Sequence, residues 1–125
     1  MKTELISLFL VLLAIVGTPV GIVLYDNAAR PANEITLVGH RPLDGNWSQR
    51  EIHVKRGETV RLRITSEDVT HGFYVPDLGI NAGSIAPGKF KTVEFTAERA
   101  GTFRFYCNVL CSHEHGGMIG NIIVE

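Results

Sequence analysis

Cysteine is scarce in this chain, at two of 125 residues, so a framework of several disulfides is excluded as the source of its stability. Charge of one sign is lacking too. Twelve basic and 13 acidic residues leave a formal net charge of -1, and no global field directs the protein to nucleic acid. Tryptophan occurs once, at position 47. There is no internal repeat and no low-complexity run, which sets aside solenoids and extended disordered tails. No nucleophile stands with a base in a recognisable pair, so no independent catalytic site is expected. At this length the chain has room for one small domain and an appendage.

Between Leu5 and Tyr25 charge is absent altogether, and the polar interruptions are Ser7, Thr18 and Pro19. About 20 apolar residues suffice for a helix to cross a bilayer's hydrocarbon core. A cleaved signal peptide carries a shorter apolar region of about 7–15 residues and then a small-residue cleavage site. The run here is longer, and the one candidate site, near Ala28 and Ala29, follows Tyr25-Asp26-Asn27. An uncleaved transmembrane anchor over residues 1–25 is therefore expected, with the cleaved signal as the alternative. Lys2 precedes the span, so the amino terminus is placed inside and the remainder outside, on the periplasmic face of the cytoplasmic membrane. The exterior part, with 11 basic and 12 acidic residues, is again near neutral.

Residues 26–33 lack periodicity and read as a tether, leaving 34–125 as the folded domain. There the apolar pattern has period two. Thr59-Val60-Arg61-Leu62-Arg63-Ile64-Thr65 alternates, as do Thr92–Thr96 and Thr102–Phe105. Shorter strands are expected at Ile35–Val38, Ile52–Val54, Gly72–Val75 and Gly120–Val124, separated by turns such as Arg56-Gly57-Glu58 and Ala86-Pro87-Gly88-Lys89. Many short strands and no amphipathic helix predict a small β-sandwich or barrel.

Both cysteines fall in one twelve-residue window, Cys107-Asn-Val-Leu-Cys111-Ser-His-Glu-His115-Gly-Gly-Met118. Gly116 and Gly117 are expected to let the backbone turn tightly between ligands. Two thiolates, an imidazole and a thioether suit a soft or borderline metal, and among common choices they point to copper. His71, in Asp68-Val69-Thr70-His71-Gly72-Phe73, is a fifth candidate from the other end of the domain. Two other readings stay open: a Cys107–Cys111 disulfide, and a structural zinc site of Cys107, Cys111, His115 and His71. Neither accounts for Met118.

The window resembles the copper-binding loop of the CuA domain in subunit II of haem-copper oxidases, Cys-x-x-x-Cys-x-x-x-His-x-x-Met. Ser66-Glu67-Asp68-Val69-Thr70-His71-Gly72-Phe73 is similar to the segment that brings that family's first histidine, and the likeness runs from about Glu51 to Glu125. The resemblance implies a mainly β, cupredoxin-like Greek-key sandwich behind one transmembrane helix. It also implies two copper ions, with Cys107 and Cys111 bridging both. His71 and Met118 would complete one ion, and His115 and the backbone carbonyl of Val109 the other. The implied role is electron input, from a c-type cytochrome or cupredoxin towards haem-copper oxidase subunit I. A mononuclear cupredoxin or copper carrier is the alternative, in which the second cysteine is surplus. Valine at 109 departs from the family, which often carries Glu or Gln there to touch a neighbouring subunit.

Of the remaining features, Leu110, Phe73 and Ile119 are candidates for a dry shell round the metal. Trp47 is expected either near the site or in the core. His113 is read as exposed, and Asp68 as a partner for His71 or a turn residue. Asn46-Trp47-Ser48 matches a glycosylation acceptor, a weak signal.

Overall fold

The computed structural model describes residues 2–29 and 33–125, with the side chains of Lys2 and residues 26–29 left aside. It divides into two compact units, Met1–Ala32 and Asn33–Glu125.

The first unit is one helix, α1 (Lys2–Ala29). Thr3–Tyr25 is long and apolar enough to cross a membrane, and none of it is buried by protein. Leu, Ile, Val and Phe side chains point outward all round it. A helix that is apolar on every face cannot be a surface helix of a water-soluble domain. Pro19 lies within the helix, where it removes one N–H from the ladder. Its end at Ala29 makes the first four residues of the expected tether helical; residues 30–32 of that tether lie outside the described residues.

The second unit is a sandwich of eight strands. Its smaller sheet has the order β1 (Glu34–Gly39), β3 (Thr59–Ser66), β6 (Phe90–Thr96). The larger has the order β2 (Glu51–Val54), β8 (Ile119–Val124), β7 (Gly101–Tyr106), β4 (His71–Val75), β5 (Ile80–Ile85). Strand β1 runs parallel to β3, and β2 parallel to β8, while the other pairs are antiparallel. Each sheet therefore takes a strand from the start of the domain and lays it beside one from later in the chain.

Alternation puts the expected residues inside. Val60, Leu62 and Ile64 of β3 are buried, and Arg61 and Arg63 between them are not. Phe103 and Phe105 of β7 face the same core. At its centre Trp47, Phe73 and Phe105 pack with ring centroids 5.8, 5.8 and 5.3 Å apart. Such aromatic pairs add about 0.5–1.5 kcal/mol each beyond the area they bury.

Strand β5 was not expected from sequence. Asn81-Ala82-Gly83-Ser84 is poor in β-formers, and Gly83 has φ +68°. A shift of register between Phe73 and Tyr74 on the neighbouring strand accommodates it.

Candidate metal centre

Strands β4 and β7 lie side by side, so the start of one meets the end of the other. His71 is the first residue of β4, and Cys107 follows β7 directly. The loop after Cys107 then carries Cys111 and His115 before Met118 delivers the chain into β8. Four ligand candidates of one loop and His71, 36 residues before Cys107, are thus carried at the same end of the sandwich.

The ligand atoms of His71, Cys107 and Cys111 all lie within 4.8 Å of one another. The two cysteines are free, with sulfurs 3.8 Å apart, far beyond the ~2.05 Å of a disulfide. The Met118 Sδ stands 3.9 Å from the Cys111 Sγ, and Met118 is fully buried. The Val109 carbonyl oxygen accepts from the Cys107 thiol at 3.1 Å. His115 is not in the compact group of three, but its Nδ1 is a buried nitrogen with no hydrogen-bond partner. An orphaned buried nitrogen costs about 1–3 kcal/mol unless something binds it. This donor set of two thiols, a thioether, an imidazole and a carbonyl fits copper. In a zinc site of two cysteines and two histidines the thioether would have no part.

His71 is completely buried and held at both ring nitrogens. Its Nε2 lies 2.7 Å from the Asp68 Oδ1, and a carboxylate can only accept, so Nε2 carries the proton. Nδ1 is then the ring nitrogen turned to the site, 3.9 Å from the Cys107 Sγ. Asp68 also accepts from the backbone N–H of Arg41 at 2.6 Å and of Val69 at 2.7 Å. Burial alone would raise the Asp68 pKa; these two amides and His71 outweigh it and hold the carboxyl at about 2. Burial and the neighbouring Cys107 push the Cys111 thiol the other way, up to about 11. Its proton therefore leaves readily only when a cation arrives to replace it. The Gly72 N–H points at the Cys107 sulfur from 3.3 Å, steadying negative charge there.

A depressed carboxylate stabilises the fold fully above its ordinary pKa of 3.8, and the contribution fades as pH falls towards about 2. Asp68→Asn is expected to remove that part of the acid limb, which an acid-unfolding titration reads. Asp68→Ala is expected to weaken metal binding about 10–100-fold, the usual loss when a ligand histidine loses its orienting carboxylate. Unchanged affinity would reduce Asp68 to a turn residue.

The site has three further contributors that sequence reasoning missed. Gly39 on β1 leaves no room for a side chain. A Cβ there would come within 3.1 Å of both His71 Cδ2 and Met118 Cε, and 3.2 Å of Trp47 Cζ3. Gly72 is tighter still: a Cβ there would overlap the Asn108 side-chain oxygen and come 2.9 Å from Val109 Cγ2. Asn46 is buried, and its amide donates to the Gly117 carbonyl at 2.8 Å, so the glycosylation match does not survive folding. The one sequence signal was Gly45-Asn46 as a turn pair.

Other expectations are corrected. Leu110 is 80 % exposed and cannot form a dry shell, whereas Phe73 is buried and Ile119 half-buried. The tight turn expected at Gly116 and Gly117 is present, as a 3-10 turn over His115–Gly117, made without left-handed backbone. Trp47 serves both core and site, 6.3 Å from the His71 ring. His113 is exposed, as expected.

A sequence profile of the family described as "Cytochrome C oxidase subunit II, periplasmic domain" matches residues 22–125. The chain belongs to this family. Among similar proteins, cytochrome c oxidase subunit 2 of Thermus thermophilus is 40 % identical over 79 residues, covering 63 % of this chain and 58 % of that protein. The nitrous-oxide reductase of Pseudomonas fluorescens is 37 % identical over 79 residues, covering 60 % of this chain but 12 % of the reductase. The chain thus corresponds to only part of each of these relatives. Among solved structures, the periplasmic domain of subunit II of cytochrome oxidase from Bradyrhizobium japonicum superposes with a TM-score of 0.63. It has 22 % identity and covers 77 % of this chain and 86 % of that one. The fold is the cupredoxin-like sandwich, behind one long apolar helix. Within this subunit II-like CuA domain, His71, Cys107, Cys111 and Met118 form a copper site consistent with CuA.

Proposed function

We propose that the chain is a membrane-anchored electron-transfer protein holding two copper ions. Its apolar helix would sit in the cytoplasmic membrane, with the copper domain on the periplasmic side. Electrons would come from a c-type cytochrome or a cupredoxin and pass to the haem-copper oxidase core, subunit I. The observation that carries this reading is the buried Met118 thioether 3.9 Å from the sulfur of Cys111, which groups with a second free cysteine and a carboxylate-anchored histidine. His115 and the Val109 carbonyl complete the proposed set; the unpartnered Nδ1 of His115 supports its inclusion.

Held by His71, Cys107, Cys111 and Met118 with His115 and the Val109 carbonyl, the copper pair would supply one-electron chemistry. The protein's own part is placement. His71 cannot turn, because Asp68 holds Nε2 and the core encloses the ring. Cys107 is fixed by its own N–H to the Met118 carbonyl at 3.1 Å and by the Gly72 N–H on its sulfur. Ligands held this way reorganise little when charge changes, which is what fast electron transfer requires. The same domain is matched in proteins named as an oxidase subunit and as a nitrous-oxide reductase. A segment shared by enzymes of different substrates is suited to electron input rather than to substrate chemistry.

Copper per chain tests the reading. Two ions with hyperfine coupling to both nuclei are expected; one ion would favour a mononuclear cupredoxin or carrier, and none a structural domain. Met118→Leu, a volume-conserving change, is expected to keep the fold and the copper. Loss of a donor is felt most by the more positive oxidised state, so the reduction potential rises. Complete loss of metal in this variant would contradict a weak thioether ligand.

A further inference from the structure

Asn46 and Trp47 reach across 71 residues of sequence to grip two successive carbonyls, those of Gly117 and Met118. Asn46 is the one non-glycine residue with positive φ among those described, at +65°, and asparagine tolerates this region better than most. Its Nδ2 donates to the Gly117 oxygen at 2.8 Å, and its Oδ1 accepts the Trp47 N–H at 2.8 Å. The Trp47 indole Nε1 then donates to the Met118 oxygen at 3.4 Å. Both side chains are buried. They come from the corner between β1 and β2, which contributes no metal ligand.

We propose that this corner is a positioning device for the Met118 thioether. The need follows from the chemistry of the ligand. A thioether is uncharged and a weak donor, so it draws itself to a metal poorly. Methionine has three rotatable bonds, and it follows two glycines that offer no side chain to anchor the loop. Something else must set the distance between this sulfur and the site. The two hydrogen bonds, with the Cys107 N–H on the same Met118 carbonyl at 3.1 Å, fix the backbone at Gly117 and Met118. Trp47 and the bare backbone of Gly39 close the space around the Met118 methyl and the His71 ring, where a single added carbon would sit 3.1–3.2 Å from all three. Asn46 and Trp47 are positioning residues, acting on the copper through Met118.

The proposal rests on the copper reading above, and the test keeps the two apart. Full-length detergent-solubilised protein is compared with Asn46→Gly, which keeps the left-handed backbone, and Trp47→Phe, which keeps the ring contacts but not the N–H. Both variants are expected to retain copper and to shift the reduction potential in the direction of Met118→Leu. For Asn46→Gly the shift corresponds to about a threefold change in the ratio of oxidised to reduced protein, the scale of its one hydrogen bond to the Gly117 carbonyl. In the Met118→Leu background, Asn46→Gly should shift it no further, because the residue it acts through is gone. Hydrogen exchange on metal-free protein gives the second readout. The Met118 amide should exchange at least tenfold faster in Asn46→Gly, with β3 amides unchanged. An unaltered potential with copper retained overturns the proposal. So does a shift of equal size in the Met118→Leu background, or acceleration of the β3 amides to the same extent. Wild-type protein that takes up no copper defeats the copper reading instead, and the amide exchange still decides whether Asn46 holds Met118.

Discussion

Cys111→Ser is expected to abolish the proposed two-copper signal, with hyperfine coupling to both nuclei, and to leave no more than one copper per chain. Cys107 and Cys111 are not equivalent in the fold, and the difference selects the variant. Cys107 is buried and accepts the Gly72 N–H, so replacing it disturbs β4 as well as the metal. Cys111 is half-buried in the loop, and its sulfur faces Cys107 at 3.8 Å and Met118 at 3.9 Å. Serine there is nearly isosteric and leaves the sandwich alone. What it removes is a soft, ionisable donor. The Cys111 thiol, raised to about 11 by burial and by Cys107, releases its proton to solvent readily only when a cation takes its place. A serine hydroxyl is far less acidic and harder, and cannot bridge in its place. Copper analysis and the hyperfine pattern read the result directly. A delocalised two-copper spectrum in this variant would end the reading of Cys111 as a donor that joins the two ions, whereas a single copper with localised hyperfine is what loss of that donor predicts.

Much of this site was legible in the sequence because it is local. The loop from Cys107 to Met118 carries four ligand candidates in twelve residues, and spacing alone groups them. The strands were legible for a similar reason: Val60, Leu62 and Ile64 announce one buried face whatever lies opposite. Partnership was not legible. Nothing local in Glu34–Gly39 says that it runs parallel to β3, yet that pairing is what brings Gly39 against His71 and Met118. In the sequence Asn46 stands out only as part of a weak glycosylation match. Its burial depends on Gly117, 71 positions later. Strand β5 escaped because pairing with β4 overrides the weak β-propensity of Asn-Ala-Gly-Ser. Leu110 misled in the opposite sense. An apolar residue between two ligand positions suggested a dry shell, but the loop turns it 80 % to solvent.

Gly72→Ala is expected to lower thermal stability and to disorganise the metal loop, while Gly116 in the same loop tolerates the same change. Gly72 sits between the His71 ligand and the core residue Phe73, with its N–H on the Cys107 sulfur. Its φ is not positive, so alanine brings no backbone strain, and the whole effect is steric. A Cβ there would overlap the Asn108 side-chain oxygen and come 2.9 Å from Val109 Cγ2. Asn108 is exposed and held only by a 3.4 Å contact to Asn81, so it can swing aside at little cost. Val109 is packed against the core and must carry its backbone with it. The carbonyl that lies 3.1 Å from the Cys107 sulfur then moves. Overpacking of this kind costs about 1–3 kcal/mol, and about 4–8 °C of Tm per kcal/mol for a domain of this size. A methyl group added at Gly116 would meet no atom within 4 Å, and the residue has no positive φ. Gly116→Ala should therefore stay within the usual ~0.5 kcal/mol of a surface change. Calorimetry with copper analysis on the two variants separates the outcomes. A Gly72→Ala protein that melts lower but keeps wild-type copper content and spectrum would show that the Val109 carbonyl is not a ligand. A fall in both, with Gly116→Ala unchanged, ties the loop's path over β4 to the second metal position.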